Sequence, residues 1–423
     1  MDEPIIVAID IGTSKICTLV AREEGGRGLA SEPDGDGLRL RILGVGIEPS
    51  QGIRKGVVVD MLAASQAVVR SVEKAERSCG LEIESALVSL AGSHVSSVNS
   101  RGVVGVAGRT IEPDDIARAV ESARAVAIPH NREIIHIIQR GFNIDGQEGI
   151  RKPLGMHGFR LEVETHIITA SSASVENLRQ CVAAAGVDVS QFVLNPLASA
   201  EVVLTETERE MGVVVVDIGG GTTGMAIYID GDVWHTNVLA VGGDHVTSDI
   251  AHGLRLPVSQ AEEVKLQHGH ALRSEVPPEE YFSVRPFGEE QPIQINRQEL
   301  AHIIEARVEE IFGLVVQEIK RSGYDGLLPA GMVLTGGTSA LPGIRALASR
   351  TLGVPVRLAR PEGMIGMTDK LDSPAYSAGV GLLRWATLMS ELAPQPSRQR
   401  KAGPVVEGET WDKIKSFLKR LLP

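Results

Sequence analysis

The chain has 423 residues, 43% of them hydrophobic and 23% charged, with a formal net charge of −12. This is ordinary globular material, enough for two to four domains of roughly 150 residues, and its acidity excludes nucleic acid as the main partner because no broad basic patch offsets it. Cys17, Cys79 and Cys181 stand in unrelated contexts without metal-ligand spacing and read as reduced core thiols of a cytosolic protein.

The first apolar stretch, Ile5 to Val20, is interrupted by Asp10 and Lys15, so it reads as neither a signal peptide nor a membrane span. It reads as strand, tight turn, strand, with Asp10-Ile11-Gly12-Thr13-Ser14-Lys15 at the turn. Residues 23–37 read as an exposed hairpin tip, and 39–47 and 56–59 as short strands. An amphipathic helix over 60–79 follows and stops at Gly80. Residues 84–163 form a separate block, with a strand at 86–91 and further strands at 133–138 and 159–169. Between them Pro113, Asp114 and Asp115 open a helix that buries Ile116, Ala119, Val120, Ala123 and Val126. This predicts a small α+β unit inserted into a larger frame.

A helix over 174–185 closes at Gly186, and a strand from Phe192 turns at Asn195-Pro196 into a small-residue helix through Val203. The opening pattern then recurs as Val213 to Val216, Asp217-Ile218-Gly219-Gly220-Gly221-Thr222-Thr223-Gly224, and apolar Met225 to Ile229. A strand over 232–241 ends at Gly242-Gly243, and helices follow over 246–253 and 259–268. Glu262 and Lys265 lie one turn apart on the second, a spacing that suits a ligand contact or a surface ion pair equally. The longest helix is predicted over 297–321, with Leu300, Ile303, Ile304, Val308, Ile311, Phe312, Val315, Val316 and Ile319 on one stripe. A third glycine turn, Thr335-Gly336-Gly337-Thr338, joins a strand to a predicted helix start that offers free N–H groups. Residues 393–409 read as a flexible linker.

Two hairpins that each carry a carboxylate, glycines and hydroxyls can clamp a triphosphate between two similar lobes. The amides of Gly12, Thr13 and Ser14, and of Gly219, Gly220, Gly221 and Thr222, would donate to phosphate oxygens. Lys15 would add charge near the terminal phosphates. Asp10 and Asp217 would hold Mg²⁺ mostly through its waters. Gly336 and Gly337, with Gly243 and Thr338 beside them, would lie against the purine, ribose and α-phosphate, and Glu262 and Lys265 would reach ribose and base. Singly these turns are commonplace; their order carries the reading. In the last segment, 410–423, Trp411, Ile414, Phe417, Leu418, Leu421 and Leu422 share a helical face, and Lys413, Lys415, Lys419 and Arg420 oppose only Asp412. That pattern suits an interfacial helix at anionic headgroups, or alternatively a helix docking in a protein groove. So short a helix binds weakly, and stable attachment calls for several linked copies.

These residues resemble the actin/Hsp70/sugar-kinase superfamily, with phosphate motifs at Asp10 to Ser14 and Asp217 to Thr222, an adenosine motif at Leu334 to Gly337, and connecting helices at 195–203 and 377–383. The insertion, the segments 241–251, 261–269 and 304–310, and the basic amphipathic end resemble more closely the FtsA family of actin-like bacterial cell-division proteins, nearly end to end. The resemblance implies an α/β, actin-like two-lobed ATPase fold with duplicated βββαβα cores. Its subdomains would be 1A (1–83 with 164–196 and 365–392), 1C (84–163), 2A (197–242 with 306–364) and 2B (243–305), followed by the linker and a membrane-targeting helix. It further implies ATP-dependent filaments through 1C-to-2B contacts at the cytoplasmic face of the inner membrane, and recruitment of later cell-division proteins. The C-terminal peptide of FtsZ would dock near Arg297, Ile304, Glu305 and Arg307. Active superfamily members carry Gln or Glu where Asn195 stands, to orient the attacking water. The shorter Asn195, followed by Pro196, therefore implies tight ATP binding with slow hydrolysis at most. A small-metabolite kinase and the actin-like scaffold of type IV pilus assembly share the three loops and are the alternatives. An Hsp70-class chaperone is disfavoured, since no β-rich peptide-binding domain follows the core.

Overall fold

The computed structural model describes residues 5–25, 38–125 and 128–392; most of the predicted hairpin tip, Val126, the linker and the terminal amphipathic helix lie outside them. Strands β1 (Ile5–Ile11), β2 (Lys15–Gly25) and β3 (Leu38–Pro49) form an antiparallel run, followed by a small ribbon of β4 (Ile53–Arg54) and β5 (Val57–Val58). Helix α1 (Met61–Cys79) starts where the Asp60 carboxylate accepts the Ala63 N–H and ends on left-handed Gly80, φ 71°. After β6 (Ser85–Leu90) come β7 (Ser96–Thr110), α2 (Pro113–Arg124), β8 (Arg132–Ile144), β9 (Gln147–Ile150) and β10 (His157–Ser171). The chain continues through α3 (Ser172–Ala183), β11 (Asp188–Leu194), α4 (Asn195–Val203), α5 (Glu206–Met211), β12 (Val213–Ile218), β13 (Thr223–Ile229) and β14 (Asp232–Leu239). Then follow α6 (Gly243–Gly253), α7 (Val258–His268), β15 (Tyr281–Val284), β16 (Ile293–Asn296), α8 (Arg297–Ser322) and β17 (Met332–Thr335). The described part ends with α9 (Ile344–Leu352), β18 (Val356–Leu358), β19 (Met364–Gly366) and α10 (Ser377–Leu392).

The two lobes are built on one plan. The first lobe's sheet runs β11-β6-β1-β2-β3-β19 and the second's β14-β13-β12-β17-β18. In each, a hairpin strand pairs antiparallel with its successor and parallel with a later strand: β1 with β2 and β6, β12 with β13 and β17. The register repeats too. Asp10 pairs with Cys17 and Asp217 with Gly224, each two positions before the glycine that closes its hairpin turn. Val213 to Val216 are fully buried, which explains an unbroken apolar run where a half-exposed strand would alternate. Helices α4 and α10 cross between the sheets, and a Cβ on Gly381 would collide with the Ala198 carbonyl. Small residues are what allow that crossing.

The insertion is a four-stranded sheet, β7-β10-β8-β9, with α2 on one face. Its expected limits of 84–163 need correction at both ends. Strand β6 belongs to the first lobe, between β11 and β1, and β10 runs on to Ser171. Strand β7 has no counterpart in the sequence reading because its Ser, Asn and Gly content is poor in β-formers; twelve paired positions along β10 make it a strand. The third glycine turn also differs. Gly337–Ala340 is a single 3₁₀ turn, and the α-helix begins only at Ile344 after left-handed Gly343, φ 81°.

Candidate nucleotide site

Both hairpins close alike: the Gly12 N–H donates to the Lys15 carbonyl at 3.0 Å, and the Gly219 N–H to the Thr222 carbonyl at 2.9 Å. Across the cleft the two loops touch. A Cβ on Gly221 would stand 2.6 Å from Thr13 Oγ1 and 3.0 Å from the Lys55 Cα, and one on Gly220 would overlap Ser14 Oγ. Between the lobes lies a cavity of about 580 Å³. Asp10, Gly12, Thr13, Ser14, Lys15, Asn195, Asp217, Gly219, Gly220, Thr222, Gly243, Glu262, Lys265, Gly336, Gly337 and Thr338 all line it. Gly221 is the exception among the expected ligand residues, since it packs against Thr13 and Lys55 instead.

The electrostatics of this cavity are unusual. Asp10 is 6% exposed, and its Oδ1 has no hydrogen-bond partner among the described residues. Burial pushes its carboxyl above the ordinary range, against the pull of Lys15 and Ser89. Burial also pushes Asp217 up to about 6, with the negative charge of Asp10 adding to it and the Ser199 hydroxyl, donating at 2.5 Å, opposing it. The charge of Asp10 thus disfavours that of Asp217. Asn195 Oδ1 is another buried acceptor without a partner among the described residues. Lys15 Nζ donates to the Ala375 carbonyl at 2.6 Å and stands 4.5 Å from the centre of the Tyr376 ring, so the turn before α10 holds the one cation of the first loop.

The remaining wall is tied to the second loop. Gly243 N–H donates to the Gly219 carbonyl at 3.0 Å, Asp244 N–H to the Gly220 carbonyl at 2.8 Å, and Thr338 Oγ1 to the Gly219 carbonyl at 2.9 Å. Gly336 has φ 88°, and a Cβ there would meet Asp217 Oδ1. Glu262 and Lys265 do form an ion pair, at 2.6 Å, while both face the cavity. Sequence reasoning missed Ala375, Tyr376 and Leu266 on the wall, because no local motif marks them.

The four residues expected at a peptide site are placed differently from one another, with only Ile304 in the core. Ile304 is 0% exposed, within the second lobe's core. Glu305 accepts the Arg273 N–H and pairs with Arg350, whereas Arg307 pairs with Asp249 and Glu310. Positions i and i+2 of a helix face different ways, so these two side chains serve opposite flanks of α8. Arg297 is bound to the His268 carbonyl and Glu280.

Duplicated sheets around an interlobe cleft, crossed by two connecting helices, define an actin-like α/β protein. Comparison with solved structures agrees. A chain of the PilM–PilN type IV pilus biogenesis complex superposes with a TM-score of 0.61 at 16% identity, covering 89% of this chain and 97% of that one. MreB5 of Spiroplasma citri bound to ADP gives 0.55 at 15%, covering 92% and 98%. A family model described as cell division protein FtsA matches residues 214–381, and one described as the SHS2 domain inserted in FtsA matches 92–169, close to the observed limits of the insertion. The cell division protein FtsA of Pseudomonas aeruginosa is 43% identical over 381 residues, spanning 90% of this chain and 89% of its own. That of Neisseria meningitidis is 38% identical over 416 residues, spanning 98% and 97%, and that of Escherichia coli 38% over 391, spanning 91% and 90%. The chain belongs to the FtsA family of cell-division proteins.

Proposed function

We propose that the cleft binds ATP with Mg²⁺, and that the chain uses this nucleotide to polymerise as an actin-like protein on the cytoplasmic face of the inner membrane. There it anchors the FtsZ ring, through the C-terminal peptide of FtsZ, and recruits later division proteins. The observation that carries the nucleotide reading is the pair Asp10 and Asp217, at matching register positions of two similarly closed hairpins on one cavity. Buried carboxyls pushed toward the neutral form are costly to keep ionised. A cation would offset that cost, and the partnerless Asp10 Oδ1 suits a metal-bound water. Asp10 and Asp217 would therefore hold Mg²⁺ through its hydration shell, and the ion would neutralise part of the polyphosphate charge.

The loop amides would take phosphate oxygens, and Lys15 would exchange its Ala375 carbonyl for a phosphate. Asn195, whose Oδ1 has no partner, would hold the attacking water less well than a longer amide, so turnover would be slow. The fold likeness to MreB5 structures bound to ADP and AMPPNP supports the same cleft. Residues 410–423 would supply the membrane contact and the filament the copies that make it durable. No helix among the described residues is long and apolar enough to cross a membrane. The test is titration of a fluorescent ATP analogue with and without Mg²⁺, together with sedimentation of anionic vesicles with the full chain and with one ending at Ala393. Mg²⁺-dependent binding, and vesicle binding lost on truncation, are expected; absence of the first refutes the cleft assignment, and persistence of the second refutes the tether.

A further inference from the structure

The inserted subdomain leaves the first lobe between β6 and α3, yet its strands β7, β8 and β10 pack on β14, an edge strand of the second lobe. A chain of hydrogen bonds crosses that seam. Asn99 Oδ1 lies 2.6 Å from His166 Nδ1. An amide oxygen only accepts, so Nδ1 carries the proton and Nε2 is the acceptor. Thr236 Oγ1, 2.9 Å away, donates to it. The Asn99 amide nitrogen then donates to the Trp234 carbonyl at 3.3 Å, and Ser97 Oγ to the Thr236 carbonyl at 2.9 Å. His166 is 1% exposed, and burial holds its imidazole down to about 3, so the neutral tautomer that this chain requires is the stable one.

Strand β14 touches the cleft as well as the seam. Two residues after Thr236, Val238 lines the cavity, and the strand leads into Gly242-Gly243 against the second phosphate loop. On the same face of the insertion, His136 of β8 accepts the Leu194 N–H at 3.2 Å; the next residue, Asn195, lines the cavity. The insertion thus belongs to one lobe by chain connection, grips a strand of the other, and pins the start of a connecting helix. Any rotation of the lobes must shear these bonds or carry the insertion with it, and packed seams switch between discrete arrangements more readily than they stretch.

We propose that the inserted subdomain is a strap across the interlobe hinge, and that its docking on β14 is thermodynamically linked to nucleotide occupancy of the cleft. The proposal rests on the nucleotide reading above. Linkage is reciprocal: if nucleotide favours the docked strap, loosening the strap must weaken nucleotide binding by the same factor.

The experiment uses the full chain, a fluorescent ATP analogue with Mg²⁺, and amide hydrogen exchange. ATP with Mg²⁺ slows exchange in peptides covering 96–101 and 232–237, and Thr236→Val weakens analogue binding about fivefold, the low end of common coupling. Thr236→Ser, which keeps the hydroxyl, restores it. Ser97→Ala lies on the insertion and reaches β14 through a hydrogen bond to a backbone carbonyl, so it loosens the seam without changing any residue of the strand that lines the cavity; a smaller loss in the same direction is expected. Nucleotide binding with unchanged seam exchange overturns the linkage alone, as do Thr236→Val and Ser97→Ala chains of unaltered affinity. No analogue binding by the unaltered chain overturns the site reading and the linkage with it.

Discussion

Acidification separates the roles of the two cleft carboxyls. With its carboxyl at about 6 instead of the ordinary 3.8, Asp217 is about nine-tenths ionised at pH 7 and about one-tenth at pH 5. If the hydrated cation needs that carboxylate, the Mg²⁺-dependent part of nucleotide affinity falls about tenfold over this interval, or about 1.4 kcal/mol. Stability without nucleotide moves the other way. A carboxyl raised in the folded state favours the protonated fold, so Asp217 contributes stability below 3.8 that is lost as pH rises through about 6. The contribution is at most roughly 3 kcal/mol. The assay is a titration of the ATP analogue in Mg²⁺ or in EDTA, at pH 5 to 8, for the unaltered chain and Asp217→Asn. The analogue's own phosphates titrate identically with both chains, so the difference between the curves isolates Asp217. A steep Mg²⁺-dependent curve for the unaltered chain and a flatter, weaker one for the variant are expected. Parallel curves refute the metal assignment.

Gly336→Ala should cost roughly 2 kcal/mol or more, since its φ is 88° and the added methyl meets Asp217 Oδ1; calorimetry showing an unchanged Tm would count against that. Ile304→Ala should cost about 2–5 kcal/mol, as a fully buried core truncation, whereas Arg307→Ala removes only partly exposed ion pairs worth about 1 kcal/mol or less. Loss of FtsZ-peptide binding by Ile304→Ala with full stability retained would contradict its inward placement. Trp411→Glu should abolish most sedimentation with anionic vesicles, because it puts a charge on the apolar face of the terminal segment; undiminished sedimentation favours a protein groove as the docking place.

The hairpins are legible in the sequence because a turn is decided within a few residues. Gly12 and Gly219 close their loops with the same bond to the residue three positions on, and in each the carboxylate stands two positions earlier on the strand. What the loops meet is another matter. Gly221 faces Thr13 and Lys55, contacts set by how two lobes lie together, and nothing in its neighbours distinguishes it from Gly220. Sheet membership is similarly non-local: β6 has the pattern of any buried strand, and only its pairing with β1 and β11 assigns it to the first lobe. Ile304 is the reverse case. It stands four residues from both Leu300 and Val308 on the apolar stripe, so the helical period alone places it inward, and a contact role drawn from family resemblance conflicts with the chain's own pattern.

The strap was hidden for a different reason. Ser97 and Asn99 sit at alternate positions of β7 and so share one face, in a segment whose polar residues do not mark a strand at all. His166 and Thr236, taken alone, are polar residues in predicted strands with nothing to say what they meet. Such residues resemble a solvent face because their hydrogen-bonding needs are usually met by water. Here they are met across a seam, where His166 and Thr236 are buried and each bonded to the other. A buried polar pair of this kind adds little net stability, but is costly to half-break. That asymmetry makes the seam an all-or-none contact, which is the property a link between cleft and insertion requires.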